Sequence, residues 1–453
     1  LMYQVIDEKP SVRTLYTESL IGRGDISAEE AETALAHYQS ELERVLSATK
    51  EDLKKVEPVP VDNRPTFPAE VETKITRELI DRIAQTQTNL RQGFTPHPRL
   101  WPQLERRAQM IKDDNIDWAM GEALAVGSLL SEGHWVRIAG QDSRRGTFGQ
   151  RHGVIVDYKT GKGYKPLKQV AKEGTRLFII DSALTEFAGM GFEYGYSVAS
   201  PKSLVMWEGQ FGDFANGAQT IIDEFISSGE QKWQQESGLV LLLPHGMEGQ
   251  GPDHSSGRIE RFLSLAAQDN MTIAQPSTSA SYFHLLRWQV LNPHNKPLII
   301  FTPKSMLRAK PATSATKEFT EGKFNPVIED IKTDKTKVTK IVMCTGKIGH
   351  ELAAARDAAN LENIAILRLE RIYPLPLQEI KNILSGYSNN AKIIWAQDEP
   401  ANQGAYPFII TELAPQLGQV ITRISRPASS APAVGSHTKH DQEQADLIKS
   451  VIA

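Results

Sequence analysis

Between residues 116 and 303 short apolar runs alternate with stretches of helical periodicity, and this alternation constrains the fold more than any other feature. The runs 135–139, 154–156, 177–180, 204–207, 239–243, 272–274 and 298–301 have the length and content of buried strands. Helical patterns fall between several of them, at 118–132, 186–198, 216–227, 255–268 and 279–291. Such alternation predicts an α/β fold with mostly parallel sheets covered by helices on both faces. A polar stretch, 310–340, precedes a second α/β unit with expected strands at 341–344, 364–369, 393–396 and 420–423. Upstream, residues 1–110 read as helices and extended linkers. Within them 27–56 opens with Ser27 and Glu30 in capping-box spacing and carries one apolar stripe (Leu35, Tyr38, Leu42, Val45, Leu46). The proline-rich stretch 57–70 reads as a linker or extended wrap. The expected domains are thus 1–110, 111–309, a linker at 310–340, and 341–453.

At 453 residues, two or three domains are expected. A net charge of −4 gives no field for gripping nucleic acid or an anionic membrane. No apolar run reaches the roughly 18–20 residues of a membrane span. The single cysteine, Cys344, lies in the apolar run IVMCTG and reads as a core residue, which excludes a disulfide framework and fits a reducing cytosol. TGKGYK (160–165) lacks the ending of a phosphate loop and reads as a hairpin turn. Zinc is a poor fit without a Cys pair or a helical His-x-x-x-His.

The chemistry is concentrated in loops that follow expected strands. The runs 204–207 and 239–243 open into EGQFGDFANGAQ and PHGMEGQGPDHSSGR, dense in Gly, Gln, Asp, Glu and His. In open parallel sheets ligands bind just past the carboxyl ends of the strands, and glycines there let the backbone approach a ligand. Candidates in these loops are Gln210, Phe211, His245 and His254; the loop GQDSRRGTF adds Asp142, and the segment LTEFAGMGFEYGY adds Glu186 and Glu193.

These segments, with TPKSMLR (302–308), DEPANQGA (398–405) and RPASSAPAVGS (426–436), resemble the thiamine-diphosphate-dependent component of the 2-oxoglutarate dehydrogenase complex, most of all its actinobacterial members. The resemblance extends over most of the chain from Pro98 to Ser436. It implies a transketolase-like thiamine-diphosphate-binding fold, with a pyrimidine-binding domain followed by a transketolase-type carboxy-terminal domain. It further implies oxidative decarboxylation of 2-oxoglutarate through the cofactor ylid, with the succinyl unit passed to a lipoyl group in the tricarboxylic acid cycle. A related enzyme for another 2-oxo acid such as 2-oxoadipate, and a non-catalytic scaffold subunit, are the competing readings. Glu186, nine residues before Gly195, is implied as the group hydrogen-bonded to the aminopyrimidine nitrogen, a role that requires a carboxyl kept from bulk water. Glu193 is its rival in the same segment. Phe211 is implied as the aromatic on the pyrimidine face, with Gln210 and Asp142 at the same cleft. His254 is implied as the proton-handling and substrate-binding histidine, with His245 competing for the role. The family holds its diphosphate through magnesium on a Gly-Asp-Gly segment; none occurs here, so those ligands are expected upstream of Leu1 on a longer polypeptide. The expected partners are a second copy of the chain, with the active site between the two, and the lipoyl-bearing acyltransferase of the complex. The expected location is cytoplasmic.

Overall fold

The computed structural model describes residues 1–55 and 68–453, with the side chains of Leu53 and Lys55 undescribed. The stretch 57–67 of the expected proline-rich linker, and Val56 at the end of the expected helix, lie outside the described residues. The chain divides into two compact units, Leu1–Pro65 and Thr66–Ala453.

In the first unit the helices are Met2–Glu8, Val12–Arg23 and Ala28–Lys55. The capping box forms as its spacing predicts: Ser27 N–H donates to Glu30 Oε2 (2.7 Å) and Glu30 N–H to Ser27 Oγ (3.1 Å). The apolar stripe also forms, but within this unit Tyr38, Leu42, Val45 and Leu46 are exposed.

The second unit is built on two sheets. In chain order the strands are β1 (Val136–Gly140), β2 (Ile155–Val156), β3 (Gly163–Tyr164), β4 (Leu177–Asp181), β5 (Leu204–Glu208), β6 (Val240–Pro244), β7 (Thr272–Ala274), β8 (Leu298–Thr302), β9 (Val327–Ile328), β10 (Lys340–Cys344), β11 (Ile364–Leu369), β12 (Arg371–Tyr373), β13 (Lys392–Pro400) and β14 (Ile421–Arg426). The first sheet runs β12-β7-β8-β6-β5-β1-β4, parallel except for β12. The second runs β14-β13-β10-β11-β9, parallel except for β9. The β2–β3 hairpin closes on TGKGYK.

Strand periodicity explains why the central runs are apolar throughout. Leu204, Met206, Val240, Leu242, Leu298 and Ile300 enter one core, with the helices Trp118–Glu132 and Ser279–Leu291. Their neighbours Val205, Trp207, Leu241, Leu243, Ile299 and Phe301 enter a second core on the opposite face, with Met190 and Tyr194 of the helix Glu186–Ala199. The second core continues without a break into the other sheet, through Ile341, Leu367 and Trp395. Cys344 is buried in a third core, and burial pushes its thiol up to about 12.

Three expectations need correction. The stretch 310–340 is not a bare linker: it holds the helix Thr316–Thr320 and β9, and Phe319 packs against Phe283 with ring centroids 5.0 Å apart. Upstream, Ile75, Ile80, Ile83 and Leu104 are buried, so part of 1–110 belongs to the α/β unit. The helix expected at 255–268 begins only at Ile259, because the amides of Ser255 and Ser256 donate to Asp213 and that of Gly257 to His245. Arg258, at φ 61°, then adopts the left-handed conformation just before the first turn.

A candidate active site at the carboxyl ends of the strands

Because β4, β1, β5, β6 and β8 are adjacent and parallel, their carboxyl ends share one edge. The segments leaving that edge carry, in the same order across the sheet, Glu186; Gln141 and Asp142; Gln210 and Phe211; His245 and His254; and Lys304. Residues from Gln141 to Lys304 in sequence thus meet along one edge, where open α/β sheets bind ligands.

Glu186 is the first residue of its helix, capped by Thr185, whose Oγ1 accepts the Ala188 amide. Its carboxylate is half-buried and accepts a hydrogen bond from Gln141 Nε2 (3.0 Å). A Cβ on Gly217 would lie 3.6 Å from Glu186 Oε2, so the turn that follows Phe211 runs close beside this carboxylate. Glu193 is engaged elsewhere: it is buried and bound through both oxygens to Arg137 (2.6 and 2.8 Å), whose guanidinium also lies over Tyr196. Asp142 pairs with Arg145, and its carbonyl accepts the Gly146 amide to turn the loop. The residue of that loop that reaches Glu186 is Gln141. Gln210 is half-buried, with no side-chain hydrogen bond among the described residues.

Phe211 is the centre of an aromatic group. It meets Phe148 (5.6 Å), Phe214 (6.1 Å) and His254 (4.5 Å, rings at 76°) edge to face. The ring nitrogens of His254 have no hydrogen-bond partner among the described residues, so the imidazole is open to a ligand. His245 is closed: Nε2 lies 2.8 Å from Glu399 Oε1, and Nδ1 accepts the Gly257 amide (3.1 Å). Since an amide can only donate, Nδ1 accepts and the ring hydrogen sits on Nε2, facing Glu399.

Behind Phe211 lies a buried ionic group. Arg151 binds Glu122 (2.6 and 3.0 Å) and Glu208 (2.6 and 2.7 Å), and Tyr282 donates to Glu122 (2.9 Å). Burial raises the pKa of Glu208, the last residue of β5, against the pull of Arg151. For Glu122 burial is outweighed by Arg151 and by the Tyr282 hydroxyl, and its pKa falls. Breaking such a group strands a buried charge, so it holds the end of β5 and the Gly209–Phe211 turn rigidly. Sequence gave no sign of it, since Glu122, Arg151 and Glu208 are separated by 29 and 57 positions.

A half-buried aromatic ring, a carboxylate at a helix start and an open imidazole fit one half of a flat heteroaromatic cofactor whose ring nitrogen needs a proton partner. Among the described residues no group of three or more His, Cys, Asp or Glu could hold a metal ion, and no helix is long and apolar enough to cross a membrane.

Comparison with known proteins identifies two domain families along the chain. Residues 114–310 match the transketolase pyrimidine-binding domain, and residues 313–452 match the 2-oxoglutarate dehydrogenase carboxy-terminal domain. The multifunctional 2-oxoglutarate metabolism enzyme of Mycobacterium sp. (strain KMS) is 50% identical over 470 aligned residues, covering 100% of this chain. That of Mycolicibacterium vanbaalenii is 50% identical over 464, covering 99%. The chain spans 37% of the length of these relatives. The chain therefore carries a transketolase-type pyrimidine-binding domain followed by a 2-oxoglutarate dehydrogenase carboxy-terminal domain.

Proposed function

We propose that this chain is the pyrimidine-binding and carboxy-terminal part of an enzyme that decarboxylates 2-oxoglutarate and passes the succinyl unit to a lipoyl group of an acyltransferase. The observation that carries the reading is the convergence of Glu186, Phe211 and an unpartnered His254 on one strand-end edge. Bound thiamine diphosphate supplies the electron sink that makes loss of carbon dioxide from a 2-oxo acid feasible. The protein's own groups do the rest. Phe211 offers its ring as a platform for the pyrimidine, and Glu186, oriented by Gln141, holds a proton at the pyrimidine ring nitrogen. His254 moves protons on the substrate side. Magnesium and diphosphate are held by residues of the longer polypeptide.

A homodimer with the site between chains fits the surroundings of Glu186. Its carboxylate is only half-buried in this chain, and Leu184, Phe187 and Phe192 nearby are about half exposed. A partner surface covering this rim would bury that apolar area and take Glu186 from bulk water, as its role requires. The same reading places the enzyme in the cytoplasm, within the multienzyme complex.

The test is Glu186→Gln in the full-length protein, assayed for carbon dioxide release from 2-oxoglutarate and 2-oxoadipate with a dye acceptor. Turnover of 2-oxoglutarate should fall roughly 10²- to 10⁴-fold with the fold intact. Preference of the wild type for 2-oxoadipate would shift the substrate. Failure of the wild type to release carbon dioxide from either would sink the enzyme reading in favour of a scaffold.

A further inference from the structure

The peptide bond that follows His254 is gripped from both sides by opposite charges. On one side Lys304 Nζ donates to the His254 carbonyl (2.6 Å) and to Gln250 Oε1 (2.7 Å). On the other, Asp213 Oδ1 accepts the amide hydrogens of Ser255 (3.2 Å) and Ser256 (3.0 Å). In a trans peptide the C=O and N–H point in opposite directions. A cation at the oxygen and a carboxylate at the hydrogen therefore both favour one orientation of this plane, and turning it breaks both contacts. The same plane fixes the backbone that carries the His254 ring, whose edge meets Phe211 at 4.5 Å.

The surroundings make this arrangement costly as simple packing. Lys304 is 4% exposed, and none of its ion pairs lies within 4.0 Å among the described residues. Burial lowers its pKa, against the pull of Glu248 and Asp213. Asp213 Oδ2 is buried without a hydrogen-bond partner. Buried charges satisfied only by neutral groups cost stability, so a role in setting the loop explains them better than a role in holding the fold. Gly212 makes the reach possible: a Cβ there would lie 2.8 Å from both Gly257 Cα and the Pro244 carbonyl.

We infer that Lys304 and Asp213 are positioning residues that together orient His254 over the Phe211 ring. The inference rests on His254 being the substrate-side group of the proposed reaction. It assigns no contact with substrate to either residue.

The experiment is a double-mutant cycle in the full-length enzyme, with Lys304→Met and His254→Ala alone and combined. Lys304→Met keeps the apolar stem and removes the charge. It should lower kcat about 10- to 100-fold, the scale expected for a misplaced catalytic group, with little change in KM and no loss of thermal stability. In the His254→Ala background it should cost nothing further. Asp213→Asn, which keeps an acceptor oxygen, should lose less than Asp213→Ala. A readout free of cofactor is the rate at which diethyl pyrocarbonate modifies His254 in the unloaded protein, followed by mass spectrometry against His437. It should rise several-fold in Lys304→Met. Full additivity in the double variant, or unchanged turnover and labelling in Lys304→Met, overturns the inference while leaving the function intact. Wild-type turnover in His254→Ala overturns the role of His254 and this inference with it.

Discussion

The two ends of the loop that leaves β6 carry the same side chain in opposite states. At His245 the ring is 4% exposed, both nitrogens are bonded, and the partner of one is Glu399 on β13 in the other sheet. At His254 the ring is half-buried, lies edge-on to Phe211, and has no hydrogen-bond partner among the described residues. A histidine with both nitrogens occupied is a joint between domains; one with both open can exchange protons with a ligand. The eight residues between them hold the glycines that separate the two states: Gly246, Gly249 and Gly251 all have positive φ.

The largest expected effect falls on the open end. In the full-length enzyme His254→Ala should reduce 2-oxoglutarate turnover about 10²- to 10⁴-fold, the usual value of a positioned proton-transfer group. Proton–deuterium exchange at the thiazolium carbon should stay fast, because the role proposed for Glu186, and not that of His254, is on the pyrimidine side. Loss of both together would move His254 into cofactor activation or folding. Undiminished turnover would erase the contrast between the two ends.

Much of this edge was legible in the sequence. The helix Trp118–Glu132 is read to the residue, because Asp117 caps its start and Gly133, at φ 101°, ends it. The strand runs lie within a residue or two of β1, β4, β5, β6 and β8; in β5, β6 and β8 both faces are buried, so those runs are apolar throughout. Glu186, Phe211 and His254 came as candidates from the resemblance, and the strand order brings them to this one edge. Three things were not legible. The three-residue strand β12 follows β11 after one residue and crosses to pair with β7, too short for any periodicity. The clamp on His254 depends on β8 lying beside β6, which only strand order reveals. Glu399 closes His245 from 154 positions away, so no local pattern could separate the two histidines.

A second closed histidine sharpens what closure means for charge. His284 has Nδ1 2.7 Å from the Thr73 hydroxyl and Nε2 2.7 Å from the Glu318 carbonyl, and burial lowers its pKa to about 4. The folded chain therefore holds it neutral. Its contribution is fully present above the ordinary value of 6.5 and is lost as pH falls from there toward about 4, where the unfolded chain takes the proton first. The loss is on the order of 3 kcal/mol at the acid end, at about 1.4 kcal/mol per pKa unit. Thermal midpoints of wild type and His284→Gln over that range should converge as pH falls. Parallel curves would show that His284 is not held neutral by the fold.

The smallest effect should come from the closed end, and it should read as stability. Glu399→Ala leaves the Nε2–H of His245 buried with no acceptor, a penalty of about 1–3 kcal/mol. Because Glu399 lies on β13 and His245 on the loop after β6, the loss should be local to that joint. Hydrogen exchange by mass spectrometry in the full-length protein should therefore quicken in peptides spanning 245–257 and 392–400, while the β1–β4 pair stays protected. His254→Ala removes no hydrogen bond of the ring among the described residues, so by the same measurement it should leave both segments close to wild type. If the two variants open the loop equally, the ends are mechanically alike and the contrast is one of exposure alone. If Glu399→Ala instead abolishes turnover with exchange unchanged, the buried pair takes part in the chemistry, and His245 becomes a functional histidine acting through its carboxylate partner.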